Sequence, residues 1–257
     1  MDAIPVIRIP KVFHLGTLDP SQLGANSGGS SQEGRCLSVS LCPNAWSEIA
    51  RLGDELHELR RQDGVFLDVM AVLVDPASRR DVLEWGVREG YARVERLWRS
   101  WRYDDEAEEW RYMLCVSERE AVEEAGAYVD ADYAAAADVP GPDGSPGIEP
   151  VELPVAERKL SDLTGFSGRA DEDATDALAV AFAIVAVPER TGVELDGVWW
   201  REDYAPHLLS APRGGIFPER VAGWRPRREG LERICDETEL GRMPLSEPLE
   251  AGPRPRP

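Results

Sequence analysis

What most constrains the fold of this chain is the irregular order in which strand-type and helix-type tracts follow one another. A doubly wound parallel sheet needs a steady strand–helix–strand rhythm, because each parallel crossover carries a helix. No such rhythm runs here. Residues 6–15 are rich in β-branched and aromatic side chains and predict a strand ending in His14, Leu15, Gly16 and Thr17. Residues 20–34, rich in Ser, Gly and Asn, predict a loop. Residues 37–40, Leu-Ser-Val-Ser, alternate as a short half-buried strand does. Pro43 and Asn44 start a predicted helix with Trp46, Ile49, Ala50 and Leu52 on one face. Residues 65–74 predict a largely apolar strand ended by Pro76, and Ser78 a cap for a helix toward Gly90.

Residues 93–103 and 108–116 predict a twisted hairpin around Asp104 and Asp105, with Ser117 and Glu120 as the capping box of a helix through Ala125. Residues 138–154 hold five prolines and three glycines and predict a surface excursion that can be shortened without loss of fold. An Ala-rich helix over 173–187, with its end left open by Pro188, precedes strands at 193–200 and 214–221. The expected class is therefore α+β, one mixed domain over 1–137 and 155–235. Residues 236–257 are expected to be a largely disordered tail.

Charge narrows the function classes. The chain carries 29 Lys and Arg against 48 Asp and Glu, a net charge of −19. Duplex binding draws much of its affinity from neutralised phosphates, so neither nucleic acid nor an anionic membrane is an expected partner. The basic cluster Trp224–Arg228, WRPRR, is read as a solvated chain end. The first residues lack the apolar core of a signal peptide, and no run approaches the roughly 20 apolar residues of a membrane span. A cytoplasmic location follows as an expectation, with Cys36, Cys42, Cys115 and Cys235 as reduced thiols. His14, His57 and His207 lie far apart, and no metal site is expected.

Three segments carry polar chemistry. At the end of the first strand, Gly16 allows close approach of a ligand to the backbone, and His14 and Thr17 offer hydrogen bonds. A polar turn at a strand end reads the same way. In the second, Ser38 and Ser40 share one face of a strand, as the lining of a cleft or as an exposed face. The third joins DGVWW, ending at Trp200, to SAPRGG, in which Arg213 sits beside Pro212 and two glycines. Tryptophan supplies a stacking face or a core side chain, and arginine binds phosphate bidentately. By alternation, one of Trp199 and Trp200 faces the core and the other faces outward.

Taken in this order, the segments resemble the ADP-ribosyltransferase fold of diphtheria-type and cholera-type toxins, poly-ADP-ribose polymerases and RNA 2′-phosphotransferases. The last of them also resembles the C-terminal part of bacterial and phage proteins of similar type. The resemblance covers about a sixth of the chain. It departs at Leu15, which separates His14 from Gly16, at Ser-Val-Ser, and in the lack of a late Gln-x-Glu or Glu-x-Glu.

The resemblance implies a split, mainly antiparallel sheet and NAD as substrate, with transfer of ADP-ribose to an acceptor, possible candidates being basic proteins. His14, with Gly16 and Thr17, would meet the NAD ribose. Ser38 and Ser40 would order the cleft, Arg213 would meet the pyrophosphate, and Trp200 would stack on nicotinamide. Glu219, then Glu202, then Asp203 would supply the catalytic carboxylate. His14, Ser38 and Arg213 are then expected to face one pocket. The charge motivates a different reading, an acidic non-catalytic interaction module such as an antitoxin, an inhibitor or a nucleic-acid mimic. Phosphotransfer from a 2′-phosphorylated RNA ranks lower, because it needs a basic groove.

Overall fold

The computed structural model describes residues 3–18, 34–41, 55–104, 109–128, 141–166, 172–201, 213–229 and 245–250. The predicted helix from Pro43 to Leu52 lies outside them, as do Cys42 and Cys235. The chain divides into two compact units, residues 1–92 with 156–257, and residues 93–155. The predicted hairpin and part of the Pro-rich stretch build a sheet of their own.

In the larger unit, β1 (Ala3–Arg8), β2 (Lys11–Leu15), β3 (Leu37–Ser40), β4 (Leu56–Arg60), β5 (Val65–Asp68), β9 (Gly197–Trp200), β10 (Arg213–Ile216), β11 (Arg225–Glu229) and β12 (Glu247–Glu250) form one sheet. Its order is β11-β4-β2-β3-β10-β9-β5-β1-β12. The pair β5–β9 is parallel and the other neighbours are antiparallel. The fold is thus mixed α+β with a largely antiparallel sheet.

The single strand predicted over 6–15 is two strands, because Pro10 cannot donate to a ladder. The amide of Ile9 reaches the Gly64 carbonyl at 2.9 Å, and Pro10 accepts from Arg61 at 3.0 Å. The strand predicted over 65–74 stops at Asp68, whose carboxylate accepts from the Ala71 amide and caps helix α1 (Val69–Val74). Asp75, rather than Ser78, then caps α2 (Pro76–Arg88), accepting from the Ser78 amide at 2.9 Å and its hydroxyl at 2.6 Å. Helix α4 (Arg158–Thr164) precedes α5 (Glu172–Thr191), which runs on through Pro188 for a further turn.

Helices α1, α2, α4 and α5 cover one face of the sheet. Val82, Trp85, Leu160, Leu178 and Phe182 join Val6, Leu67, Val198 and Trp200 in one core cluster. The opposite face buries Ile7, Val12, Val39, Leu59, Phe66, Trp199 and Ile216 beneath Trp224. Trp199 and Trp200 do point to opposite faces, but neither points outward: both faces are covered, and the two are 0% and 1% exposed. Trp224 is held by a 3-10 helix (Pro218–Gly223) where the sequence predicts continued strand. The WRPRR segment is solvated from Arg225 to Arg228, as expected, but it is not a loose end: Trp224 is buried and the arginines lie in edge strand β11, paired with β4. Nor is 247–250 disordered, since β12 pairs with β1 and Leu249 packs against the helix-side core.

In the smaller unit, β6 (Ala92–Asp104), β7 (Glu109–Cys115) and β8 (Ile148–Ala156) form a three-stranded sheet in the order β7-β6-β8. The hairpin is as the sequence predicts. Residues 148–154 are strand rather than excursion, despite Pro150 and Pro154. Helix α3 (Glu118–Tyr128) follows β7, with the Glu120 amide bonded to the Ser117 hydroxyl at 3.2 Å.

Candidate functional site

The register fixes which polar groups share a face. Ser40 lies opposite Arg213, and Arg213 opposite Trp200. On the other side, Ser40 lies opposite Phe13, and Phe13 opposite Glu58. Directly paired residues point to the same side of a sheet, so Glu58, Phe13, Ser40, Arg213 and Trp200 form one row across β4, β2, β3, β10 and β9. At about 4.8 Å per strand, the row carries Glu58 about 14 Å from Arg213. Ser38, two residues from Ser40, lies on the same side opposite Gly215.

The row is dry at its centre. Ser40 and Glu58 are 0% exposed, while Ser38 and Arg213 are partly exposed. Arg60, two residues on and on the same side, donates from Nε to the Glu58 carboxylate at 2.5 Å. Taking a carboxylate out of water is costly, and the guanidinium offsets part of that cost. Trp200 belongs to the helix-side core and does not face an opening. Its ring backs Arg213 instead, with the guanidinium 5.9 Å from the ring centroid.

His14 is on the other side of the sheet. It pairs in register with His57, the rings stacked 6.4 Å apart, and its neighbour Val12 lies in the cluster opposite the helices. Its Nδ1 faces the Ser38 carbonyl at 2.8 Å and its Nε2 the Thr17 carbonyl at 3.1 Å. Direct pairing of β2 with β3 is confined to Phe13 and Ser40, and the ring takes up a carbonyl beyond that point. Burial pushes the His14 pKa down, against the two carbonyls and with His57. The expectation that His14, Ser38 and Arg213 share one pocket is therefore corrected: Ser38 and Arg213 share a side of the sheet, and alternation along β2 puts His14 on the other. Gly16 has φ 119° and donates its amide to the Glu55 carbonyl at 2.8 Å, so it shapes the strand end.

Glu219 is exposed on the 3-10 helix, three residues past Ile216 at the far end of β10 from Arg213. Glu202 and Asp203 lie outside the described residues. The carboxylate that the register does bring beside Ser40 and Arg213 is Glu58. No element was assigned to 55–60 from sequence, because Leu56, His57, Glu58 and Leu59 follow neither a strict two-residue nor a helical period. The stretch 54–63 is mostly charged, with Leu56 and Leu59 as its apolar residues, and no local signal singles out Glu58.

The glycines beside Arg213 and Trp199 have a packing role. A Cβ on Gly214 would lie 2.3 Å from Cε3 of Trp199, and one on Gly197 would lie 1.9 Å from the Gly215 carbonyl oxygen. Asp196 anchors the start of β9. It accepts from the Val65 amide at 2.9 Å and meets Arg61 Nη1 at 3.1 Å, and burial raises its pKa. Among the described residues, no group of His, Cys, Asp and Glu could hold a metal ion, and no helix is long and apolar enough to cross a membrane.

Comparisons with protein-family models, with curated proteins and with solved structures give no match to this chain.

Proposed function

We propose that the chain is an NAD-dependent ADP-ribosyltransferase-like enzyme whose sheet is of that split type, with the row from Glu58 to Arg213 as its working face. The observation that carries this reading is the register alignment of Glu58, Ser40 and Arg213 on one side of neighbouring strands. Arg213 and the hydroxyls of Ser38 and Ser40 fit an anionic, hydroxyl-rich dinucleotide: a guanidinium pairs with pyrophosphate, and hydroxyls both donate and accept. Trp200 and His14 have no contact with the substrate in this proposal. Trp200 supports Arg213 from behind, and His14 fixes β2 against β3.

In the reaction, the bond from ribose C1′ to the nicotinamide nitrogen breaks and its electron pair leaves with nicotinamide. The acceptor adds to C1′ and gives up its proton. Positive charge develops on the ribose between the two events, and a carboxylate fixed in a dry site stabilises it more than water does. Glu58 takes that role. Glu219 stays a surface residue, while Glu202 and Asp203 keep their proposed role as alternative acids.

Calorimetry with NAD on the full chain tests the reading. Binding is expected, weakened about tenfold or more by Arg213→Ala, which removes a charge-assisted contact. An absence of heat at millimolar NAD would leave the second reading, an acidic interaction module, which the net charge of −19 favours.

A further inference from the structure

One end of the larger unit's sheet carries a row of cations that the proposed working face does not use. Strands β2, β4 and β11 lie side by side, and their register sets Lys11 opposite Arg60 and Arg60 opposite Arg225. Directly paired residues point to the same side, so these three form one row, about 10 Å long across three strands. The next row on that side is Phe13, Glu58 and Arg227. Arg60 and Arg225 are exposed, and Lys11 is half-buried with its ammonium 5.4 Å from the Phe13 ring centroid. Arg60 donates to Glu58 in the neighbouring row, but among the described residues neither Lys11 nor Arg225 has a carboxylate partner. The other side of the same strands differs. There Arg228, opposite His57, meets Glu55 at 2.9 Å, and its charge is answered within the chain.

A row of cations in a chain of net charge −19 selects for the size of its ligand. An extended polyanion meets the acidic surface on either side of the row and is repelled there. A compact anion does not, because screening at physiological ionic strength confines each attraction or repulsion to about 8 Å. The ligand that gains most therefore gathers several negative charges within the length of the row. A carboxylate brings one charge per group, whereas linked phosphates bring one or more at each successive group. Guanidinium forks match phosphate oxygens in pairs, and an ammonium adds three donors from a point charge.

We propose that the row Lys11–Arg60–Arg225 binds a compact oligophosphate, a short chain of linked phosphates either free or carried by a nucleoside. Arg225 and Arg60 pair with phosphate oxygens along the chain, and Lys11 holds one end of it. The row stands two strands away from β10, which carries Arg213, and the proposal does not rest on NAD binding.

Inorganic tripolyphosphate, titrated into the isotope-labelled full chain, tests this. The expected result is a saturable shift of the Lys11, Arg60 and Arg225 amide signals, with affinity falling as salt is raised. Lys11→Gln and Arg225→Gln should each weaken binding about threefold or more. Arg80→Gln, which removes the same charge from an exposed position of α2, should leave it unchanged. Equal weakening in all three variants would overturn the proposal, because binding would then follow net charge alone. Loss of binding in Arg213→Ala with affinity kept in Arg225→Gln would also overturn it, placing the phosphates on the other row. So would tighter binding of a single-stranded oligonucleotide than of tripolyphosphate at physiological salt, or no saturable shift at millimolar tripolyphosphate. Adenosine triphosphate separates the two sources: tighter binding than tripolyphosphate supports a nucleotide as ligand, and equal binding supports the phosphate chain alone. Arg225 is exposed on an edge strand, so its variant keeps the test intact if Lys11→Gln misfolds.

Discussion

The imidazole of His14 reaches the Ser38 carbonyl at 2.8 Å while the side chains of the two residues point to opposite faces of the sheet. The contact ties strand to strand and keeps His14 out of the row formed by Ser40, Arg213 and Glu58. Each ring nitrogen faces an acceptor, and a neutral imidazole has one proton to donate.

Stability should fall on acidification through His14. Its folded pKa lies below the ordinary 6.5, chiefly because burial disfavours the charged ring. The unfolded chain then binds the proton more readily. The contribution is complete above the ordinary value and is lost as pH falls below it, by at most about 1.4 kcal/mol per pH unit. Urea unfolding from pH 7 to pH 5 should show a steeper loss in the wild type than in His14→Gln. Parallel slopes would show that His14 does not titrate on unfolding.

Gly214→Ala should destabilise the larger unit by about 1–3 kcal/mol, because the new methyl group would overlap the Trp199 ring in a filled core. The denaturant midpoint measures the loss. A change in the near-ultraviolet circular dichroism would report the displaced indole. An unchanged midpoint would mean that Trp199 can move aside without cost.

Asp196→Ala should cost about 2–4 kcal/mol, since it strips the buried Val65 amide of its acceptor and Arg61 of its carboxylate. Asp196→Asn, which keeps an acceptor for Val65, should cost less. The folded pKa of Asp196 is raised by burial, so its own pH-linked contribution is present in acid and disappears as pH rises through that value. The asparagine variant should therefore compare best with the wild type near neutral pH. Equal losses in the two variants would place the weight on the Arg61 pair alone.

Much of the fold was legible where local signals agree. Leu37–Ser40 alternates and is strand β3 with the bounds read from sequence, and the Trp-rich hairpin stands where Asp104 and Asp105 put it. Other elements turned on tertiary context. Residues 65–74 are apolar throughout, and only Asp68 as a cap separates strand from helix. Pro248 and Pro226 lie in β12 and β11, the two edge strands, where a missing amide donor is tolerated. Of the candidate site, the shared face of Ser38 and Ser40 follows from spacing alone. The pairing of Ser40 with Arg213, the inclusion of Glu58 and the exclusion of His14 are set by long-range register, which no local period encodes.

Release of nicotinamide from NAD, compared between the wild type and Glu58→Gln, tests the proposed working face most directly. The two side chains are nearly the same size, so the row keeps its packing and NAD affinity should change little. Turnover should fall about a hundredfold or more, as expected for a carboxylate that acts on charge present only in the transition state. Nicotinamide release at the same rate in Glu58→Gln would contradict the assignment of Glu58 and of the row that contains it.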